Sequence, residues 1–257
     1  MDGDSLMSRI NIVLDASKYD MFELCECRYN YRYNLNIVSP ERFAPLDRGT
    51  LVHLGCETYY QSLKSGAPYD YAVNSSLSKI REAGVINTEL DTATITRIVD
   101  VMEEYFDYWR VADQQFQIVE VEKPFMYQLY QDESVSIYMS GKIDLVISDN
   151  RYTNMPIDHK SYDRSYEVGR MSNQFKNYCV ATESNYLIVD KIGFQKTLKP
   201  HEKFIRTPLT YDPILLEEWK RNIIYVVLNK YLQCIATGYW PMNETSCDKF
   251  NRRCEYY

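Results

Sequence analysis

Gly141-Lys142-Ile143-Asp144-Leu145-Val146-Ile147, the polar turn Ser148-Asp149-Asn150-Arg151, and Met155-Pro156-Ile157-Asp158-His159-Lys160-Ser161 decide how this chain is read. Apolar runs on both sides of a polar turn predict two neighbouring strands. Asp144 interrupts the first run and Asp158 the second. A charge inside a buried strand is costly unless it is paired or holds a metal. Strand side chains alternate, so Lys160 shares a face with Asp158, while the His159 side chain points away and offers only its backbone carbonyl to an ion. Two carboxylates on adjacent strands suit a hard divalent cation such as Mg²⁺ or Mn²⁺, which prefers oxygen ligands. Such a cation polarises a phosphoryl oxygen and acidifies a bound water, the chemistry that phosphodiester cleavage needs. The lysine would position the attacking water or stabilise charge building on the phosphate. Asp-x-Lys alone is a common surface pattern, so the reading depends on its surroundings.

Working outward, Phe116–Phe125 alternates like a strand, Ser134–Ile147 holds a second and Thr153–Asp158 a third. Residues 165–182 read as a helix, with Gln174 and Tyr178 one turn apart on a shared face. Strands follow at 185–194 and 203–210. Asp212-Pro213 opens a long helix to about Ala236, with Pro213 suited to its first turn. Residues 1–115 read as mainly helical. Asp15–Cys25 is a helix start with Ser17 as the N-cap, Ser39-Pro40 and Ala44-Pro45 mark a loop, and 61–75 is a second loop. Further helices are expected at 75–84 and 91–113, the latter with Ile95, Ile98, Val99, Met102, Tyr105, Phe106 and Trp109 at helical spacing. This order predicts an α/β fold with a mixed sheet flanked by helices. The expected division is a helical region 1–115, a core 116–237, and a cysteine-bearing tail 238–257.

The chain has 257 residues, 45% hydrophobic and 25% charged, enough for a proper core. Its net charge of −7 argues against a protein coated in positive charge that grips DNA everywhere. Its 24 tyrosines could stack on bases, but tyrosine also fills cores. Met1–Ser5 does not begin a signal peptide pattern, and no run of about 18 apolar residues predicts a membrane span. Seven cysteines, an odd number, fit a reducing compartment better than a disulfide framework. The expected location is therefore the cytoplasm.

Two upstream stretches carry possible partners for the hairpin. Cys27-Arg28-Tyr29-Asn30-Tyr31-Arg32-Tyr33 alternates aromatic and basic residues; Arg28, Tyr31 and Arg32 could contact a DNA backbone and its bases, or form an ordinary amphipathic helix end. Gly49-Thr50-Leu51-Val52-His53 enters a helix, with Gly49 as a close turn at the entrance. His53 and Glu57 share a helix face; a lone histidine there is more often packed than ligating.

Gly-Lys-Ile-Asp at 141–144, Ile-Asp-His-Lys at 157–160 and Gln-x-x-x-Tyr at 174–178, in this order, resemble the PD-(D/E)xK nuclease superfamily. More narrowly they resemble its RecB-type exonuclease branch, which includes phage exonucleases and CRISPR-associated adaptation nucleases. Further matching pieces are Met21–Cys25 with Tyr31-Arg32-Tyr33, Gly49-x-x-x-His53, Glu120–Phe125, and Trp240-Pro241-Met242-Asn243 with Cys247 and Cys254. The resemblance implies a restriction-endonuclease-like core and a metal-dependent deoxyribonuclease acting in recombination, repair or phage DNA processing. It implies Asp144, Asp158 and His53 as metal ligands, Lys160 as the catalytic lysine, and Gln174 and Tyr178 as holding the lysine region or the DNA. Glu122 is a further candidate beside the metal, or a surface charge on an alternating strand. Implied partners are DNA and a helicase, recombinase or other DNA-processing protein, in a bacterial or phage-infected cell. A catalytically inactive DNA-binding or regulatory protein on the same scaffold is the alternative, against which stands the complete set of core residues.

Many RecB-type members hold an iron–sulfur cluster with one N-terminal and three C-terminal cysteines. Here Cys25 or Cys27 would supply the first, and Cys247 and Cys254 two others. Three readings stay open: a cluster using Cys25 and Cys27 together, a lost cluster, or a zinc site. Cys56, Cys179 and Cys234 read as buried free thiols.

Overall fold

The computed structural model describes residues 9–37, 44–87, 89–163, 169, 171–248 and 253–256. The stretches Met1–Ser5 and Ser39-Pro40, read above as a chain start and a loop, lie outside them, as does most of 164–170. The elements run β1 (Ile10–Leu14), α1 (Ala16–Leu24), α2 (Glu26–Tyr29), a π-helical turn (Asn30–Asn34), α3 (Ala44–Lys64), α4 (Tyr69–Asn87), α5 (Thr92–Asp113), β2 (Gln117–Gln131) and β3 (Val135–Ser148). They continue with β4 (Met155–Tyr162), α6 (Asn173–Thr182), β5 (Tyr186–Gly193), α7 (Pro200–Lys203), β6 (Phe204–Thr210), α8 (Pro213–Val226), a second π-helical turn (Val227–Tyr231) and α9 (Leu232–Thr237).

The sheet is mixed and has six strands among the described residues. β3 is its long central strand. β2 runs antiparallel along one edge of it; β1, parallel, and β4, antiparallel, share the other edge. β5 pairs parallel with β4 and antiparallel with β6. Helices cover both faces, which is why β3 and β4 read as nearly continuous apolar runs. Leu145, Ile147 and Ile157 pack under α3, α4 and α5, with Ile98, Met102, Tyr105 and Phe106 supplying the α5 face. Ile143, Val146, Leu187 and Val189 pack against α6 and Leu216 of α8 on the other face. A third cluster joins β1, α1 and the start of β3 to Trp219, Ile223 and Tyr231 near the C-terminal end.

Gly141 shows why the Gly-Lys-Ile-Asp stretch begins as it does. It lies opposite Phe125 across β2 and β3, and a Cβ there would meet that ring at 2.6 Å. The ring covers the glycine, so a larger side chain would displace it.

Several expectations need correction. The described part of the first 115 residues is mainly helical, but Ile10–Leu14, not expected as a strand, is bonded to β3. Its alternating Ile12 and Leu14 are buried, but five residues before a capped helix carry too short a period to stand out. The N-cap of α1 is Asp15, whose carboxylate accepts from the Lys18 amide at 2.8 Å; Ser17 lies inside the helix. Gly49 also lies inside a helix, α3, rather than at a turn before it. The predicted loop at 61–75 shrinks, because α3 runs to Lys64 and α4 starts at Tyr69. The predicted helix at 165–182 is α6, which starts at Asn173 and closes on Glu183 in the left-handed region (φ 55°). The long helix after Pro213 passes through a π-helical turn before α9 ends at Gly238, also left-handed (φ 69°).

Candidate active site

β3 and β4 pair as Leu145 with Ile157 and Val146 with Pro156, then separate just where the two aspartates stand. That opening is the floor of a cleft of about 600 Å³, lined among others by His53, Glu57, Glu122, Lys142, Asp144 and Lys160.

Asp144 is 9% exposed. Its Oδ2 accepts the His159 backbone N–H at 2.8 Å and lies 3.4 Å from His53 Nδ1. Burial would raise its pKa, but the His53 contact and the His159 N–H outweigh it and hold the carboxyl below its ordinary value. The converse holds for His53: burial pulls its pKa down, and the bond and charge of Asp144 raise it above 6.5. His53 arrives from α3, one turn before Glu57.

Glu122 completes a set. It sits between the register pairs Val121–Leu145 and Lys123–Ile143, so it faces Asp144 across the strands. Its φ of +50° is left-handed, a strained choice for glutamate within a strand. Ligand atoms of His53, Glu122 and Asp144 all lie within 4.8 Å of one another. Lys142 forms an ion pair with Glu122. One imidazole and two carboxylates are a donor set that a divalent cation accepts.

Asp158 sits deeper, fully buried. Its two oxygens lie 2.8 and 3.1 Å from Lys160 Nζ. Burial nonetheless dominates and pushes its pKa up to about 6, with the Lys160 charge pulling the other way and Asp144 adding to the rise. Lys160 also donates to Gln174 Oε1 at 3.1 Å. Gln174 Nε2 donates to the Tyr178 hydroxyl at 2.8 Å, which donates to the Lys142 carbonyl at 2.8 Å. The i, i+4 pair on α6 therefore ties the Lys160 ammonium to the backbone of β3. His159 points to the opposite face, as alternation predicts, and is 1% exposed.

The hairpin residues, His53 and the Gln174–Tyr178 pair thus come together. Arg28, Tyr31 and Arg32 lie elsewhere, on α2 and the turn after it. Arg28 pairs with Glu255 at 3.4 Å, and the Tyr31 ring packs against Tyr256 at 5.4 Å. Those contacts hold the C-terminal tail, a role the alternating pattern alone did not suggest. Cys25, Cys27, Cys247 and Cys254, all free thiols, line one small enclosure beside them. The chain ends meet there because the Cys27 amide donates to the Pro241 carbonyl at 2.9 Å and the Asn243 side chain to the Leu24 carbonyl at 2.9 Å.

Sequence reasoning missed a buried polar cluster behind the hairpin: Tyr60, Tyr105, Asp113, Asp190 and Arg206. A signal existed. Asp190 interrupts the apolar run of β5 just as Asp144 interrupts that of β3.

A family model described as the PD-(D/E)XK nuclease superfamily matches residues 14–257. The chain belongs to the PD-(D/E)XK nuclease superfamily. Its mixed sheet flanked by helices is consistent with that superfamily's fold, and membership supports a hydrolytic nuclease. Among solved structures, one described as "Putative exonuclease" from Eubacterium rectale is similar at 12% identity, covering 99% of this chain and 94% of that one, with a TM-score of 0.53. At that identity it shows a shared fold. The structure of SSO0001 is 10% identical over 58% of this chain and 74% of that one, at a TM-score of 0.31 that carries no argument. No curated protein matches the sequence. Nucleases of this superfamily use divalent metals, and His53, Glu122 and Asp144 form an acidic set able to hold one. Among the described residues, no helix is long and apolar enough to cross a membrane.

Proposed function

We propose that this superfamily member is a Mg²⁺- or Mn²⁺-dependent deoxyribonuclease of the RecB type, acting as an exonuclease in recombination, repair or phage DNA processing. The observation that carries the reading is the convergence of Asp144, Lys160 and His53 on one cleft, with Lys160 paired to the buried Asp158 and fixed by Gln174. When bound, the cation supplies a polarised phosphoryl oxygen and an acidified water. His53, Glu122 and Asp144 would hold it, with the Asp158–Lys160 pair beside them. Lys142, whose side chain is 60% exposed and paired with Glu122, is placed to offer its charge to a phosphate at the mouth of the cleft. Lys160 presents its charge toward the attacking water and the phosphate.

End-labelled linear DNA should be degraded with Mn²⁺ and left intact with EDTA, while covalently closed circles should survive. Cleaved circles would remove the exonuclease part; intact linear DNA would remove the nuclease reading. The proposed partners, a helicase or recombinase, would act by feeding ends to this cleft.

Metal affinity should rise with pH. The cation needs Asp158 ionised, and burial holds that carboxyl protonated up to about pH 6. It also needs His53 neutral, and Asp144 holds that proton on above 6.5. Both shifts place the proton in competition with the ion on the acid side, so Mn²⁺ binding followed by calorimetry should strengthen as pH rises through 6 and beyond. A flat profile would contradict these ligands.

We further propose that Cys25, Cys27, Cys247 and Cys254 form a metal–thiolate clasp joining the chain ends. Four thiols around one enclosure are the donor set that an iron–sulfur cluster or a zinc ion requires. Elemental analysis of anaerobically purified protein should find iron with labile sulfide, or zinc, lost in Cys247→Ser. Protein free of both metals would overturn the clasp.

A further inference from the structure

Behind the hairpin, three residues stand side by side on three strands. His159 of β4 is the register partner of Asp190 on β5, and Asp190 is the partner of Arg206 on β6. Cross-strand neighbours of this kind touch directly. The His159 Nδ1 lies 3.6 Å from Asp190 Oδ2, which accepts Arg206 Nε at 2.9 Å and the Tyr105 hydroxyl at 2.6 Å. Arg206 continues to Asp113 at 2.6 Å and to the Tyr60 hydroxyl at 3.0 Å, with its guanidinium 4.1 Å above the Trp109 ring. Tyr60 also stacks on the His159 ring, with centroids 5.7 Å apart and planes within 9°. Asp190 and His159 are 0% and 1% exposed.

A row of buried charges is a poor device for stability, since well-packed apolar residues would serve as well. It is a good device for direction. His159 meets the cleft through its backbone, because its N–H donates to Asp144 Oδ2. Its ring packs on the far side against the Asp190 carboxylate, 3.6 Å from Nδ1, and against the Tyr60 ring. A side chain held at its ring cannot rotate its own peptide plane freely, so this packing sets where that N–H points. That N–H belongs to the peptide joining Asp158 to His159, and Lys160 is the next residue along the strand.

We propose that Asp190 and Arg206 are positioning residues for the nuclease centre: by holding the His159 ring from behind the sheet they aim the His159 N–H, and hence the Asp144 carboxylate, at the metal position. The inference rests on the metal-nuclease reading above. Partners that orient a metal ligand without touching the ion cost roughly 10–100-fold in metal affinity or activity when removed.

Asp190→Asn keeps the size of the side chain and removes its charge. Its Mn²⁺ dissociation constant, measured by calorimetry without DNA, should weaken by roughly 10–100-fold. On DNA, kcat should fall while KM is unchanged, since the DNA-facing surface is untouched. In metal-free protein, hydrogen exchange at the His159 amide should accelerate. Tyr105→Phe, which removes the short bond to Asp190 together with the longer contacts to the Tyr60 hydroxyl at 3.3 Å and Arg206 at 3.5 Å, should move all three readouts in the same direction by less. It decides the matter if Asp190→Asn fails to fold. In an Asp144→Asn background, Asp190→Asn should add nothing to the loss of Mn²⁺ affinity. Folded variants with unchanged Mn²⁺ affinity and unchanged amide exchange would overturn the proposal even if the wild type cleaves DNA. A wild type that binds Mn²⁺ but cleaves nothing would sink the nuclease reading, and the affinity comparison would still decide the positioning role. A wild type that binds no Mn²⁺ would overturn both.

Discussion

Asp144→Ala should lower metal-dependent cleavage by on the order of 10³-fold. A catalytic cation contributes several kcal/mol of transition-state stabilisation, and each factor of ten in rate corresponds to about 1.4 kcal/mol. Asp144 is the residue on which the site converges: His53 lies 3.4 Å from it, the His159 N–H donates to it, and Glu122 faces it across the strands. Removing it would leave a bound cation with fewer ligands and His53 without its carboxylate partner. Lys160→Ala should follow at roughly 10²–10³-fold, the usual cost of one preorganised donor at a developing charge. It also strips Asp158 of its counter-ion, so the variant should need a higher pH to reach its own maximum. Lys160→Arg should not restore the rate, because a planar guanidinium cannot meet Asp158 and Gln174 Oε1 from one point as the ammonium does. The measurement is the single-turnover rate on end-labelled duplex with saturating Mn²⁺, with circular dichroism to verify folding. An Asp144→Ala enzyme that cleaves like the wild type would remove this carboxylate from the chemistry.

The second large effect is on stability. Arg206→Ala should destabilise the fold by about 3–5 kcal/mol, the typical cost of breaking a buried ion pair by removing one partner. The guanidinium serves Asp190, Asp113 and Tyr60 at once, and without it two buried carboxylates face each other's charge. In a chain of this size the melting temperature should drop by on the order of 10 °C. The loss should also depend on pH. In the intact protein burial tends to raise Asp190, but Arg206 keeps it below its ordinary value; Asp113 is already raised, burial outweighing the same guanidinium. With Arg206 gone both rise above their unfolded values, so the folded state binds more protons than the unfolded one. Stability then falls as pH rises through that window, and the deficit is smaller in acid than at neutral pH. Adding Asp113→Asn to Arg206→Ala should recover part of the loss, since one buried charge fewer is left unpaired. Equal melting temperatures for Arg206→Ala and the wild type would show that the cluster is not held by its charges.

Much of the centre could be read from local patterns because those patterns have short periods. A two-residue repeat puts Asp158 and Lys160 on one face and His159 on the other, and the structure has them so. An i, i+4 spacing puts Gln174 and Tyr178 in line, and they form consecutive links from Lys160 to the β3 backbone. Charges inside apolar runs marked Asp144 and would have marked Asp190. Where the reading failed, the deciding fact was a pairing between distant segments. Ile10–Leu14 is too short to declare itself without β3 beside it. Glu122 could be read from the sequence either as a candidate beside the metal or as a surface charge, and the register of β2 on β3 sets it opposite Asp144. For Arg28 and Tyr31 the sequence showed no partner within the chain; the tail, more than 200 residues away, supplies Glu255 and Tyr256.

The sequence alone therefore determined a hairpin with two aspartates and a lysine, the helix that steadies the lysine, and an α/β fold to carry them, because hydrophobic period and side-chain alternation are properties of neighbouring residues. Only the tertiary structure decided that Asp158 lies buried beneath Lys160 while Asp144 gathers His53 and Glu122 into a ligand set, and that Arg206 anchors a charged row behind them. Burial, counter-charges and strand register arise from segments that meet only when the chain folds, and those are the quantities that set where a cation can bind.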